Sequence, residues 1–340
     1  ARAPGKVILL GEHAINRGQP ALAASVGLYA TCTLRQTDAP GIVFRSDATG
    51  HAEQHAQRHE LLHLAHDVDR WRAAEDYESI RALAGRDFFA PQKYVLAAAL
   101  RDSLPEGLEI SFSSELPRSR GLGSGGAAFA ALATALGALT GRSHDRERLA
   151  DWAHRGDVLS HGGVASRLDS QAALCGGVIQ FTSERNLGEP VEAHAGLEIV
   201  IGNTGVVAAT SEVNSKVRRW LAENPTVRMR YFESIGLLSR AALPALRDGD
   251  WGVLGRLLTL NQLVLEKIGV STPELEGLID AALRAGAHGA KLAGSGGGGI
   301  MFALVDSTTR DAAGQAIRAA GGIPLTPSLA VPGAAILESR

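Results

Sequence analysis

The chain has 340 residues, 45% hydrophobic and 21% charged, a globular balance with enough length for two packed units rather than one core. Its 34 Lys and Arg against 36 Asp and Glu leave a net charge of −2, so no basic excess points to nucleic acid or to an anionic membrane as partner. Cys32 and Cys175 stand far apart and match no metal spacing, which fits two reduced thiols in a cytoplasmic protein. The opening from Ala1 to Lys6 runs directly into a strand-like stretch, so no secretory leader is expected there.

In chain order, residues 7–10 read as a buried strand, followed by a turn at Gly11, Glu12 and His13. Residues 21–34 continue as short apolar, strand-like runs. Residues 51–104 are rich in charge, contain Pro91 as their only proline, and predict helix. Residues 108–112 alternate as a strand; a glycine-rich loop and an alanine-rich helix follow, the helix ending near Leu139 with Gly141 as its stop. The uncharged stretch 121–141 has the length of a membrane span, but it consists mostly of Gly, Ala, Ser and Thr and predicts a buried soluble helix, not a span. A helix over 145–160 and a strand over 176–181 come next. Polar residues 183–195, with Gly188 and Pro190, predict a domain boundary that divides the chain into 1–188 and 189–340. Beyond it lie a strand at 197–202, helices at 210–221, 228–247 and 275–285 (Pro273 near the start of the last), and a strand–turn–strand over 290–305. Interleaved helices and antiparallel hairpins predict an α+β fold, not a doubly wound sheet.

The 40 glycines are clustered at 121–126, 162–163, 176–177 and 294–299, places where backbone must turn tightly or approach a ligand. The run from Gly121 to Gly126 precedes an apolar helix. Small residues let backbone N–H groups turn toward phosphate oxygens, and the helix start adds unpaired donors and the positive end of its dipole. Ser124 can offer its hydroxyl to a phosphate or to magnesium. The run is neither a Walker loop nor Gly-x-Gly-x-x-Gly, so on its own it equally describes a flexible turn capping a core helix.

Three segments together alter that balance: Ala3 to Ala14 (Ala-Pro-Gly-Lys-Val-Ile-Leu-Leu-Gly-Glu-His-Ala), the loop 117–127, and Lys291 to Gly299 (Lys-Leu-Ala-Gly-Ser-Gly-Gly-Gly-Gly). With the stretches 203–210 and 261–274 they run in order over nearly the whole chain. They resemble the GHMP family of galactokinase, homoserine kinase, mevalonate kinase and phosphomevalonate kinase, most of all its mevalonate kinase branch. The resemblance implies a two-domain fold with ATP and acceptor in the cleft between the domains, Mg2+ as the accompanying ion, mevalonate or a similar small-molecule alcohol as acceptor, and a homodimer. It implies that Asp169 acts as general base and Lys6 as its cationic partner; read without it, these are an N-cap aspartate and a solvated lysine. It assigns Pro117, Gly121, Leu122, Gly123, Ser124, Gly125, Gly126 and Ala127 to ATP, and Glu12, His13, Thr210, Gly294, Ser295 and Gly296 to the acceptor. It assigns Ser124 and Asp157 to the metal. Gly125 stands where the family has a magnesium-ligating serine, and Asp157 where it usually has a glutamate. The segment from His161 to Asp169 is one residue longer than the family pattern and introduces Arg167, which can meet an anion or point to solvent.

A competing motif is His59-Glu-Leu-Leu-His63, which satisfies the His-Glu-x-x-His zinc pattern and places both histidines on one helical face, with His51, His55 and His66 nearby. It predicts a zinc metalloprotease, a zinc-binding helix or a solvated, histidine-rich helix surface, and the protease reading leaves the glycine segments unexplained.

Overall fold

The computed structural model describes residues 1–47, 53–100, 105–117, 121–143, 145–207 and 210–338. Its first half is built on a seven-stranded sheet: β1 (Arg2–Leu10), β2 (Ala21–Gln36), β3 (Gly41–Ser46), β4 (Glu53–Ala56), β5 (Gly107–Ser114), β6 (Val178–Thr182) and β7 (Leu187–Val191). The runs expected over 21–34 form one continuous strand. β2 pairs antiparallel with β1 along one edge, and on the other edge with β6 at its start and β5 at its end. The order across the sheet is β4-β3-β5-β2-β6-β7, and only β3 and β5 are parallel.

The helices of this half are α1 (Arg58–Ala73), α2 (Tyr77–Arg86), α3 (Ala90–Leu100), α4 (Ser124–Leu139), α5 (Arg146–Ser160) and α6 (Leu168–Cys175). α4 is the alanine-rich helix, buried from Gly126 to Gly137; small side chains let it lie close on β1 and β2 and beside α5 and α6. Asp145 caps α5 by accepting from the Arg148 amide at 3.0 Å.

The second half carries an antiparallel sheet, order β11-β8-β10-β9, from β8 (Glu198–Asn203), β9 (Gly289–Ala293), β10 (Ile300–Val305) and β11 (Ile323–Leu325). Its helices are α7 (Thr210–Glu223), α8 (Pro225–Asp248), α9 (Trp251–Ile268), α10 (Pro273–Arg284) and α11 (Arg310–Ala319). α8 and α9 also reach β1, and their apolar side chains share a core with those of β1, β2 and β8. The α+β expectation therefore holds.

Several elements were not expected from sequence, among them β3, α6 and β11. β4 is a strand inside the stretch read as helix, and α9 and α11 are unanticipated. The division expected after residue 188 falls inside β7, which pairs with β6 from Val178↔Val191 to Thr182↔Leu187, so the first sheet continues to Val191. The end of the chain also returns to this sheet: the Ala330 amide donates to Ser25 O at 2.8 Å, and the Arg2 amide to Ala335 O at 2.9 Å. No helix among the described residues is long and apolar enough to cross a membrane.

Candidate active site

β1 delivers Lys6 to the start of α4. The Lys6 amide donates to Leu122 O at 2.9 Å, which ties the strand to the glycine loop. Gly123, at φ +68°, is the N-cap of α4, and a Cβ there would lie 2.9 Å from Lys6 Cγ. Only glycine allows both that backbone conformation and that approach. The Lys6 side chain is buried and its Nζ lies 3.1 Å from Asp169 Oδ1. Asp169 sits in the first turn of α6, which packs on α4. A Cβ on Gly126 would fall 2.8 Å from Asp169 Cβ, so the close approach of the two helix starts also requires a glycine. The lysine and aspartate expected to act together are thus brought together beside the unpaired N–H groups of the first turn of α4.

Within the loop, Leu122 and Ala127 point into the core and can offer a ligand only backbone. Pro117 leads in; Arg118, Ser119 and Arg120 lie outside the described residues. Gly125 differs from Gly126: a Cβ there would meet only the Phe129 ring, at 3.4 Å and beyond, so packing leaves room for the side chain this position lacks.

Asp157, on α5, is fully buried; neither carboxylate oxygen makes a hydrogen bond of good geometry, and the Ser170 hydroxyl and amide give it only weak support. Burial, and after it the charge of Asp169, hold its carboxyl well above the usual carboxylate range. Such a group is stabilised by a cation. No cluster of three His, Cys, Asp or Glu suited to a metal occurs among the described residues. An ion here would have the Asp157 carboxylate as its protein ligand and oxygens of a bound phosphate beside it, hard oxygen donors that suit Mg2+.

The facing wall comes from the turn after β1 and from the β9–β10 connection. Glu12 is 1% exposed and pairs with Lys291, which is fully buried and donates to Leu292 O at 2.7 Å as well. The second Glu12 oxygen, Oε2, has no partner. Burial raises the Glu12 carboxyl pKa, and Lys291 chiefly opposes the rise. Lys291 belongs to the third motif yet was assigned no role from sequence; the signal for it was a lysine inside the otherwise apolar strand 289–293. His13, at φ +60°, is buried, and its Nε2 lies 2.9 Å from Ser295 O, so two expected acceptor residues meet. A carbonyl only accepts, so Nε2 carries the proton.

Gly294 and Gly121 abut: a Cβ on Gly294 would lie 2.8 Å from Gly121 Cα, and one on Gly121 2.7 Å from Ala293 O. The two glycine motifs thus pack backbone against backbone. Gly296 packs as tightly: a Cβ there would fall 2.2 Å from Val270 O. Thr210 is the first residue of α7, and its side chain lies outside the described part of the structure. Arg167 donates to Asp151 at 3.0 Å, an ion pair that occupies one side of its guanidinium.

Burial pushes the His13 imidazole down from 6.5 to about 4. Between those values the unfolded chain binds the proton and the folded chain does not, so stability falls as pH falls through this window. The full effect is roughly 3 kcal/mol. Urea denaturation at pH 7 and pH 4.5 is expected to show this loss, and His13→Asn, which tolerates the left-handed backbone, is expected to flatten it. An unchanged slope in the variant would assign the acid sensitivity elsewhere.

Among the described residues, no third metal-binding side chain joins the His59–His63 pair. Glu60 accepts from the Gln57 amide at 2.7 Å in a capping box, so its place is set by the start of α1. His59 and His63 are exposed, with ring centroids 6.5 Å apart. His55 is on β4, 2.8 Å from Glu53, and His51 lies outside the described residues.

Comparison with known proteins agrees with this geometry. Residues 92–177 match the GHMP kinases N terminal domain and residues 242–323 the GHMP kinases C terminal model. The mevalonate kinase of Pyrococcus horikoshii is 31% identical over 344 residues, covering 99% of this chain and 97% of its own. That of Methanothermobacter thermautotrophicus is 30% identical over 303 residues, 89% of each chain. Among solved structures, L. major mevalonate kinase in complex with R-mevalonate superposes with a TM-score of 0.76 at 26% identity, covering 98% of this chain and 96% of that one. The Methanococcus jannaschii mevalonate kinase shares the fold with a TM-score of 0.80 at 20% identity over 97% of each chain. The chain belongs to the GHMP kinase family of ATP-dependent small-molecule kinases.

Proposed function

We propose that this kinase transfers the γ-phosphate of ATP to the 5-hydroxyl of mevalonate, giving 5-phosphomevalonate and ADP. The observation that carries the reading is the Lys6–Asp169 pair at 3.1 Å, set against the first turn of α4. Phosphoryl transfer asks a protein chiefly to hold the triphosphate, offset its charge and align the hydroxyl. The backbone from Gly121 to Gly126 and the N-terminus of α4 receive the phosphates. Asp169 accepts the proton of the acceptor hydroxyl, and Lys6 holds Asp169 in place and offsets charge on the transferred group. Asp157 and Ser124 hold Mg2+, which when bound neutralises phosphate charge. Glu12, His13, Thr210 and the 294–296 turn form the acceptor wall. Relatives named mevalonate kinase, matched from end to end, favour mevalonate over other alcohols. We further place the protein in the cytoplasm, consistent with free Cys32 and Cys175, and as a homodimer.

An ADP-release screen over mevalonate, phosphomevalonate, galactose and homoserine tests the acceptor. Mevalonate is expected to give the strongest signal above the ATP-only blank. A signal from another alcohol with none from mevalonate would overturn the acceptor while leaving the family untouched.

A further inference from the structure

Arg17 closes the short 3-10 helix that follows β1, with Gly18 at φ +76° as its cap. Its Nη1 donates to His13 O at 2.7 Å, and its guanidinium lies over the Phe232 ring, 4.1 Å from the centroid. These two contacts fix the group beside the residue whose ring reaches Ser295. Its Nε is buried with no hydrogen-bond partner. No carboxylate among the described residues pairs with it. The nearby cation is Arg218 on α7, held by Ser215 Oγ at 2.8 Å and likewise without a carboxylate. Burial first and then Arg218 lower the Arg17 pKa.

A guanidinium with one buried donor left unused and no carboxylate beside it is destabilised unless an anion joins it. A guanidinium suits that role because its planar fork matches carboxylate and phosphate oxygens. Arg167, the arginine that sequence suggested for an anion, also has a buried Nε without a partner, but its charge is already paired with Asp151.

We propose that Arg17 is a specificity-determining residue of the acceptor site and that its guanidinium receives the anionic group of the acceptor. That this group is the carboxylate of mevalonate rests on the function proposed above; the anion subsite itself does not.

The test compares mevalonate with mevalonamide, in which a neutral amide replaces the carboxylate. The wild-type protein is expected to prefer mevalonate at least ~10-fold in kcat/KM. Arg17→Gln is expected to bring that ratio close to one, mainly through the KM for mevalonate, and Arg17→Lys to recover part of it. A ratio equal in wild type and Arg17→Gln overturns the proposal. If the wild type phosphorylates neither compound, the mevalonate reading fails and a bare anion decides the subsite. Sulfate, at ionic strength matched with chloride, is then expected to raise the melting temperature of the wild type and not that of Arg17→Gln. Equal shifts in both proteins overturn the subsite.

Discussion

Asp169→Asn is expected to fold, to bind ATP, and to lose about two to four orders of magnitude in kcat, the range by which a positioned general base accelerates proton transfer. Asparagine has almost the shape of aspartate and preserves the contact with Gly126 that sets the two helix starts. It cannot accept the hydroxyl proton. Lys6 remains, 5% exposed at its side chain, and loses the carboxylate 3.1 Å away, so a modest loss of stability accompanies the change. The loss of activity should fall in kcat, with little change in nucleotide affinity, because the interaction removed belongs to the transition state. Circular dichroism, binding of a fluorescent ATP analogue and steady-state kinetics separate these quantities. A kcat within about tenfold of wild type would remove Asp169 from the role of base.

Lys291→Met is expected to destabilise the protein by about 3–5 kcal/mol, the penalty for stripping one partner from a buried ion pair. Lys291 and Glu12 have side-chain exposures of 0% and 1%, and Glu12 Oε2 is already without a partner, so among the described residues no neighbouring donor stands ready to replace the ammonium. The pair also links the turn after β1 to β9, joining the two sheets. Adding Glu12→Gln removes the orphaned charge, and the double variant should regain most of the lost stability, a non-additivity that marks direct coupling. Urea denaturation of the four proteins measures it. A single-variant loss below about 1 kcal/mol would mean that Glu12 is neutral in the folded state.

The elements that sequence revealed best were those whose pattern and punctuation agree. The alanine-rich α4 after its glycine loop, the capped α5, and the β9–β10 hairpin around the glycine run all appear close to their expected limits. β7 was hidden because Gly188 and Pro190 resemble a linker; it is an edge strand, where a missing N–H is tolerated. β4 is short and polar and exists because β3 offers it an edge. Within the site, the loop was visible as a glycine cluster ahead of an apolar helix, whereas Lys6 and Asp169 were legible only through the family resemblance, since alone they read as a solvated lysine and an N-cap aspartate. What sequence did not carry was burial. The resemblance named Asp157 for the metal but said nothing of its complete enclosure by neighbouring helices, and Lys291 and Arg17 gain meaning only from the partners they have or lack. Gly125 and Gly126 look alike in sequence, yet Asp169 demands glycine only at the second.

The most direct test of the Lys6–Asp169 site as a mevalonate-phosphorylating centre is phosphorus NMR of the wild-type protein with ATP, Mg2+ and mevalonate. A new phosphomonoester resonance that grows with ADP, and that fails to grow with Asp169→Asn, is the predicted result. ADP that accumulates only with inorganic phosphate, or a phosphomonoester that forms as fast in the variant, would contradict it.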